Sequence, residues 1–206
     1  MLNVDVLAWE KMDGLIPAIV QDAFDGRVLM QAYMNRDALQ ETLDSGRVTF
    51  WSRSKERLWT KGETSGNYLE FLKMQPDCDG DCLLILARPH GPTCHRGTDT
   101  CFDAEKPVVP DLAFLAQLDA LIGIRNEERP LGSYTTRLFE SGIKRIAQKV
   151  GEEGVETALA GAGGSKDELL EEASDLTYHL LVLLRAKNSS ISEMIALLRS
   201  RHDARG

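Results

Sequence analysis

Residues 77–82 read D-C-D-G-D-C and place three carboxylates and two thiols within six positions. Carboxylates this close together repel one another, so the segment needs a nearby source of positive charge. If the segment is extended, its side chains alternate, with the aspartates on one face and the cysteines on the other. Oxygen ligands suit Mg²⁺, and thiolates suit Zn²⁺. The spacing therefore predicts bound cations that neutralise the carboxylates and hold the thiols as thiolates.

Two further cysteines follow, Cys94 within the sequence P-T-C-H and then Cys101. All four cysteines lie within one quarter of the chain, and in a cytosolic protein such clustering favours a metal site over disulfides. Four thiolates would close the shell of a structural zinc, whereas three would leave a position for water. Spacing alone leaves this alternative open.

A second polar stretch combines F-W-S-R-S at 50–54 with L-W-T-K-G-E-T-S-G-N at 58–67. Backbone amides of a Gly/Ser loop, together with Arg and Lys, can form a cradle for phosphate. An ordinary charged hairpin and loop explains the same residues equally well.

A third constellation is acidic and lies on two predicted helices. The sequence K-V-G-E-E-G-V-E occupies 149–156, and Glu168, Glu172, Asp175 and His179 follow at spacings of four, three and four. Two such stripes facing each other would repel unless a cation lay between them. Two solvated helix faces are the alternative, and the pattern does not decide between them.

The elements that must position these residues differ between the two halves of the chain. The first half predicts hairpins, with Asp-Gly at 25–26 as one turn, and a helix that Asn35 caps and Gly46 ends. The second half has helical periodicity: a stripe of Leu and Ile after Asp111, a long helix over 133–160 and a helix capped by Ser165. A fourth short helix is predicted to start near residue 190.

These patterns predict an α+β protein, with a β-rich metal-binding domain followed by an all-α helical bundle. The sequence E-K-P-V-V-P at 105–110 cannot continue a helix or a central strand. We therefore expect domains at 1–106 and 112–206, joined by a linker at 107–111.

Bulk properties restrict the partners. A net charge of -8 argues against a nucleic-acid backbone or an anionic membrane as the main partner. The N-terminus carries no secretory signal pattern, and the apolar run at 180–184 is too short to cross a bilayer. We expect a cytoplasmic protein.

The motifs F-W-S-R-S, L-W-x-K-G-E-T-S-G-N, D-C-D-G-D-C and P-T-C-H closely resemble phosphoribosyl-AMP cyclohydrolase of histidine biosynthesis, over about residues 10 to 105. The resemblance implies a zinc-activated water that opens the adenine ring, and a homodimer whose site is shared between subunits. It makes four-thiolate ligation by Cys82 a minor alternative. The implied ligands are Cys78, Cys94 and Cys101 for zinc, and Asp77, Asp79 and Asp81 for Mg²⁺.

In the second half, E-E-x-x-E followed by E-x-x-D resembles the all-α nucleoside-triphosphate pyrophosphohydrolases. The flanking G-S-Y-T and G-I-K-R-I-A-Q-K-V-G-E-E make this part similar to phosphoribosyl-ATP pyrophosphatase, over about residues 112 to 200. By this resemblance Mg²⁺ is held against the triphosphate, and a second interface between helices of two chains is expected. The implied magnesium ligands are Glu152, Glu153, Glu156, Glu172 and Asp175.

The remaining candidate residues complete the hypothesis. His95 is the candidate for proton transfer in the first site, and Glu153 and Glu156 are candidates for the carboxylate that activates water in the second. The predicted substrate-binding residues are Trp51, Ser52, Arg53, Lys61, Glu63, Ser65, Gly66, Asn67 and Lys149.

Two alternative functions fit the same sequence. The helical half could be a broad-specificity nucleotide pyrophosphohydrolase, or the protein could be a non-enzymatic zinc-stabilised interaction module. We therefore predict a bifunctional enzyme that removes pyrophosphate from phosphoribosyl-ATP and then opens the ring of phosphoribosyl-AMP.

Overall fold

The computed structural model of the chain describes residues 7–102 and 111–204. The chain divides into two compact units, one ending at Ala113 and the other beginning at Phe114. In the described residues the first unit is β-rich and the second is helical, which confirms the predicted α+β class. The predicted linker at 107–111 lies outside the described residues except for Asp111, so the predicted domain limits stay a prediction.

The first unit contains a four-stranded sheet, a two-stranded sheet and one helix. The larger sheet has the strand order β2-β1-β6-β5, in which β1 and β6 are parallel and the other neighbours are antiparallel. Strands β3 and β4 form the small sheet. The elements are β1 Ile16–Asp22, β2 Val28–Met34, α1 Arg36–Ser45, β3 Thr49–Ser52, β4 Arg57–Thr60, β5 Leu69–Pro76 and β6 Leu83–Pro89.

Both predicted hairpins are confirmed. In β1, buried and half-buried residues alternate, as expected for a strand with one face on the core. The turn between β1 and β2 contains Gly26 at a φ of +77°, a conformation that suits glycine. In the small sheet, Phe50 pairs with Trp59, and the two rings pack with centroids 5.6 Å apart.

The helix of the first unit begins and ends where the sequence predicts. The Asn35 side chain accepts from the backbone N–H of Ala38 at 2.8 Å, which satisfies one of the free donors of the first turn. Gly46 ends the helix in the left-handed region, at a φ of +69°. Ala38 and Leu39 of this helix join a core that also contains Phe50.

The second unit contains five helices in its described residues. Their bounds are α2 Asp111–Glu128, α3 Tyr134–Glu140, α4 Ile143–Gly163, α5 Lys166–Ala186 and α6 Ile191–Asp203. The predicted start of α5 is confirmed, because Ser165 and Glu168 form a reciprocal capping box. Ser190 and Glu193 form another at the start of α6.

One helix prediction is wrong. A single helix over 133–160 is expected from the sequence, but the chain forms α3 and α4 with a break at Ser141 and Gly142. Gly142 has a φ of +83°, which cannot occur within a right-handed helix. The break gives α4, the helix with the first acidic stripe, its own direction.

A partly buried ion pair connects three helices of the second unit. Arg185 on α5 donates two hydrogen bonds to Asp119 on α2, at 2.8 and 2.6 Å. The backbone N–H of Ile191 at the start of α6 lies 3.4 Å from the same carboxylate. Asp119 is fully buried, and the paired guanidinium compensates its charge. No helix among the described residues is long and apolar enough to cross a membrane.

Candidate functional sites

A cavity of about 380 Å³ in the first unit brings two of the sequence motifs together. One wall is the loop after β4, and the other is the segment that carries Cys94, His95 and Cys101. Predicted substrate-binding residues therefore face predicted zinc ligands. The predicted residues that line the cavity are Lys61, Glu63, Ser65, Asn67, Cys94, His95 and Cys101.

The loop after β4 is closed by a buried lysine. Lys61 is 7% exposed, and its ammonium group donates to the carbonyl oxygen of Asn67 at 2.9 Å. Burial lowers the pKa of Lys61, while the nearby thiols of Cys101 and Cys94 act in the opposite direction. A cation next to two thiols favours their deprotonated form, which is the form that binds metal.

Backbone hydrogen bonds hold the two cavity cysteines in place. The N–H of Cys94 donates to Thr98 O at 2.9 Å, and the N–H of Cys101 donates to Leu29 O at 2.7 Å. A hydrogen bond from the backbone of Arg96 lowers the pKa of Cys94, and the Cys101 thiol contributes to this shift. Burial and the charge of Cys94 raise the pKa of Cys101. The two thiols are thus neighbours, and the pKa of Cys94 is shifted down while that of Cys101 is shifted up.

The other predicted residues of the hairpin lie away from the cavity lining. Trp51 and Ser52 pair with Leu58 and Arg57 across the small sheet. The guanidinium of Arg53 stacks over the ring of Tyr33 at 3.9 Å. Gly66 belongs to the closed loop but is not part of the lining.

The aspartate segment is a loop and not an extended strand, so the two-faced alternation that an extended segment would give does not apply. Residues 77–82 turn between β5 and β6, with Gly80 at a φ of +74°. The Asp77 side chain accepts from the backbone N–H groups of Asp81 and Cys82, at 3.0 and 3.1 Å, and this stabilises the turn. The turn nevertheless gathers one carboxylate oxygen from each of Asp77, Asp79 and Asp81 within 4.8 Å of one another.

The positive charge near this loop comes from a residue that the sequence reasoning missed. Lys11 forms ion pairs with Asp79 at 2.5 Å and with Asp81 at 2.6 Å. The hydrogen bond from Lys11 lowers the pKa of Asp79. Lys11 precedes the loop by more than 60 positions, so neither spacing nor periodicity could have identified it.

The structure does not bring the three predicted zinc ligands together in one chain. Among the described residues, no group of ligand atoms within 4.8 Å combines Cys78 with Cys94 and Cys101. Cys78 is exposed on the aspartate loop. Cys82 is half-buried, and burial raises the pKa of its thiol, which disfavours the thiolate.

In the second unit, α4 and α5 bring three glutamates together. One carboxylate oxygen from each of Glu153, Glu156 and Glu172 lies within 4.8 Å of the others. Burial raises the pKa of Glu156, and the charges of Glu153 and Glu172 add to this effect. Like charges this close disfavour full ionisation unless a cation binds.

The other two predicted acidic ligands lie outside this group. Glu152 pairs with Arg145 at 3.4 Å and with Lys149 at 3.2 Å. Lys149 also approaches Glu153 to 2.6 Å and lowers the pKa of that carboxyl. Asp175 is exposed and lines a separate open depression on α5 with Leu170, Glu171 and Ser174.

The buried side chain of His179 lies beside Glu153 of the glutamate group. His179 is 4% exposed, its Nδ1 lies 2.8 Å from the carbonyl oxygen of Asp175, and the same nitrogen lies 3.6 Å from Glu153. Its Nε2 lies 3.0 Å from the hydroxyl of Tyr134 on α3. His179 was part of the predicted stripe, but its bond to Tyr134 has no sequence signal, because the two residues are 45 positions apart.

Comparisons with known proteins agree with this division into two sites. The Phosphoribosyl-AMP cyclohydrolase family model matches residues 30–103, and the Phosphoribosyl-ATP pyrophosphohydrolase family model matches residues 115–202. These matches define the class: a hydrolase with one cyclohydrolase domain and one pyrophosphohydrolase domain.

Relatives extend the agreement over nearly the whole chain. The chain is 60% identical over 199 residues to the histidine biosynthesis bifunctional protein HisIE of Xanthomonas campestris, covering 97% of this chain and 94% of that protein. It is 57% identical over 196 residues to the protein of the same name from Escherichia coli, with 95% of each chain covered. It is 54% identical over 201 residues to the protein of the same name from Yersinia pestis, covering 98% of this chain and 97% of that protein.

The chain belongs to this family of bifunctional histidine-biosynthesis proteins. It is a hydrolase with phosphoribosyl-AMP cyclohydrolase and phosphoribosyl-ATP pyrophosphohydrolase activities, as predicted.

Proposed function

We propose that the cavity of the first unit is the cyclohydrolase centre and that Cys94 and Cys101 are two of its zinc ligands. The observation that carries this proposal is the convergence of both thiols with Lys61 and His95 around one cavity. The donor set fits the metal, because neighbouring thiols with a cation beside them are ready to bind Zn²⁺ as thiolates. Zinc held there would lower the pKa of a water molecule and make hydroxide available near neutral pH.

The residues of the chain have separate tasks in ring opening. Lys61 and the amides of the loop that it closes bind the phosphorylated part of the substrate, and Asn67 and Ser65 contribute polar atoms to the same wall. Hydroxide adds to the adenine carbon between N1 and the exocyclic amine, the ring bond from that carbon to N1 breaks, and N1 takes up a proton. His95 is exposed to the cavity and placed to carry that proton.

We also propose that the first site is completed by a second copy of the chain. The third predicted zinc ligand, Cys78, does not group with Cys94 and Cys101 within one chain. A two-fold dimer would offer the partner's loop to each cavity and so complete both sites. The aspartate loop that carries Cys78 would bind Mg²⁺ through Asp77, Asp79 and Asp81, since hard oxygen ligands suit that ion.

In the second unit, Glu153, Glu156 and Glu172 are proposed as magnesium ligands, with Glu152 and Asp175 as further candidates. Three carboxylate oxygens within 4.8 Å of one another form a suitable oxygen donor set. Magnesium there would neutralise charge on the triphosphate and on the departing pyrophosphate. Glu153 and Glu156 are the two candidates for the carboxylate that accepts a proton from the attacking water. Lys149 holds Glu153 in its ionised form and is a candidate phosphate contact.

A single incubation tests the assignment of the two activities to the two sites. The full chain is given phosphoribosyl-ATP, Mg²⁺ and Zn²⁺, and the products are identified by mass spectrometry. We expect pyrophosphate and a second product with the mass of phosphoribosyl-AMP plus one water. The variant Cys94→Ser should accumulate unopened phosphoribosyl-AMP, and Glu156→Gln should leave phosphoribosyl-ATP intact. If Cys94→Ser opens the ring at the normal rate, the cavity is not the cyclohydrolase centre.

A further inference from the structure

The ammonium group of Lys11 contacts two carboxylates of the aspartate loop, residues 77–82. It lies 2.5 Å from Oδ2 of Asp79 and 2.6 Å from Oδ2 of Asp81, so one cation bridges two of the three proposed magnesium ligands. Asp77 is held differently, because its Oδ1 accepts backbone hydrogen bonds from the loop itself. Lys11 therefore bridges Asp79 and Asp81 from outside the loop, in addition to the contacts that Asp79 makes with its own backbone and with Asp77.

The backbone around Lys11 is anchored to the same loop and to the core. The N–H of Ala8 donates to Gly80 O at 2.8 Å, at the centre of the aspartate loop. Leu7 and Trp9 are buried in the hydrophobic core of the first unit. Hydrogen bonds from Gly14 N to Trp9 O and from Met12 N to Ala8 O form a tight turn over these positions. The position of the lysine is therefore set by a docked segment and not by its flexible side chain alone.

We propose that Lys11 is a built-in counter-cation of the magnesium site, which holds Asp79 and Asp81 together before the metal arrives and competes with the metal for them. This inference rests on the proposed binding of Mg²⁺ by the aspartate loop. A divalent cation that takes both carboxylates must displace the ammonium group, and any lysine that stays nearby repels the ion. The presence of Lys11 weakens metal binding and makes it reversible, and it prevents the loop from splaying apart when the site has no metal.

The test measures metal affinity directly, without relying on turnover. Mn²⁺ serves as a paramagnetic substitute for Mg²⁺, and free Mn²⁺ is quantified by electron paramagnetic resonance during titration of the full chain. Glu156→Gln and Glu172→Gln are present in every sample, so that the glutamate group of the second unit does not contribute. We expect Lys11→Met to bind Mn²⁺ about three- to tenfold more tightly than the parent, since two exposed ion pairs no longer compete.

Matched variants separate this role from a structural one. Lys11→Arg keeps the charge and should retain the parent affinity, and Lys11→Gln should behave like Lys11→Met. Lys73→Met removes the same charge from an exposed position on β5 and should leave the affinity unchanged. An affinity of Lys11→Met and Lys11→Gln equal to or weaker than that of the parent would overturn the proposal.

A further variant distinguishes failure of this inference from failure of the proposed function. Asp79→Asn with Asp81→Asn removes the two carboxylates that Lys11 bridges. If the parent binds no more Mn²⁺ than this double variant, the aspartate loop is not a metal site, and both proposals are overturned. If Mn²⁺ binding depends on the aspartates but Lys11→Met does not tighten it, only the role of Lys11 is overturned.

Discussion

Lys61 and Asn67 are joined by a hydrogen bond of 2.9 Å from the ammonium group to the backbone carbonyl, which closes the loop that lines the cavity proposed as the cyclohydrolase centre. Glycine makes this closure possible. A Cβ atom at Gly62 would lie 2.5 Å from the carbonyl carbon and oxygen of Asn67, and one at Gly91 would lie 2.5 Å from the Asn67 side chain. The backbone of Gly62 therefore packs against the backbone of Asn67, and the backbone of Gly91 packs against the Asn67 side chain.

Gly62→Ala is predicted to impair ring opening selectively. The clash with Asn67 must move the loop, and displacing a phosphate-binding wall by about 1 Å can reduce turnover by about 100-fold. Gly46→Ala is the matched control, because Gly46 also has a positive φ, a Cβ there has nothing within 4 Å, and the residue lies outside the cavity lining. Its ring-opening rate should stay within about threefold of the parent, as for modest backbone strain alone. Assays of both activities on each variant provide the check, and a Gly62→Ala enzyme with parental ring opening would contradict the importance of loop closure.

His95→Ala is predicted to slow ring opening by about 100-fold while zinc content stays the same, as expected for the loss of one positioned proton carrier. Zinc content by mass spectrometry and turnover should be measured on the same preparation. His90→Ala is a suitable control, since His90 is exposed and stacks on Tyr68 but does not line the cavity. A near-normal rate for His95→Ala at full zinc occupancy would eliminate the proton-transfer role.

The proposal that two subunits share each zinc site predicts complementation between two inactive variants. In a mixed dimer of Cys78→Ser and Cys94→Ser chains, one of the two sites has all three thiols. Random pairing of coexpressed chains should therefore restore about a quarter of the parental ring-opening activity, as the symmetry of a two-fold dimer requires.

The matched control for complementation combines Cys94→Ser with Cys101→Ser. These two thiols lie in the same cavity of one chain, so no mixed dimer regains an intact site. Recovery in this control, or no recovery in the first mixture, would show that the site is not divided between chains as proposed.

Much of this arrangement was predictable from local sequence, and the exceptions have a common cause. The caps at Asn35 and Ser165 follow from hydrogen bonds within four residues, and the thiol and carboxylate motifs follow from residue types. The pairing of Lys11 with Asp79 spans 68 positions, and that of Tyr134 with His179 spans 45. Such contacts depend on how the segments pack, and a single sequence carries no periodic signal for them. The break at Gly142 was missed because the apolar pattern continues through it on both sides.

In the glutamate group of the second unit, Glu156 is predicted to be needed for activity but to destabilise the metal-free fold. Glu156 has a raised pKa in the folded protein, so its ionisation destabilises the metal-free fold, and this loss of stability grows as the pH rises through that pKa. In the presence of EDTA at pH 8, Glu156→Gln should therefore melt at a higher temperature than the parent, and the difference should shrink as the pH is lowered toward 4.5, the ordinary pKa of a glutamate. Pyrophosphate release with Mg²⁺ should fall by about 100-fold or more, because Glu156 is a proposed magnesium ligand and a candidate base.

Glu152→Gln is the control for that stability effect. Lys149 lowers the pKa of Glu152, so its ionised form stabilises the fold at pH values above its unfolded pKa. This variant should melt at a slightly lower temperature than the parent at pH 8. If Glu156→Gln and Glu152→Gln change the melting temperature in the same direction, repulsion within the glutamate group is not what limits stability.

Loss of the ion pair between Asp119 and Arg185 is predicted to destabilise the helical second unit without destabilising the first unit. Asp119→Ala removes two hydrogen bonds to a partly exposed guanidinium and should cost about 2 kcal/mol of unfolding free energy. All three tryptophans precede residue 102, so tryptophan fluorescence reports the first unit, while far-UV circular dichroism reports mainly the helices. The midpoint urea concentration of unfolding should fall in the dichroism signal and stay unchanged in the fluorescence signal.

Asp111→Ala is the control, because it removes an exposed carboxylate from the first turn of the same helix. It should cost only a few tenths of a kcal/mol. Equal shifts in both signals for Asp119→Ala would mean that the two units unfold together.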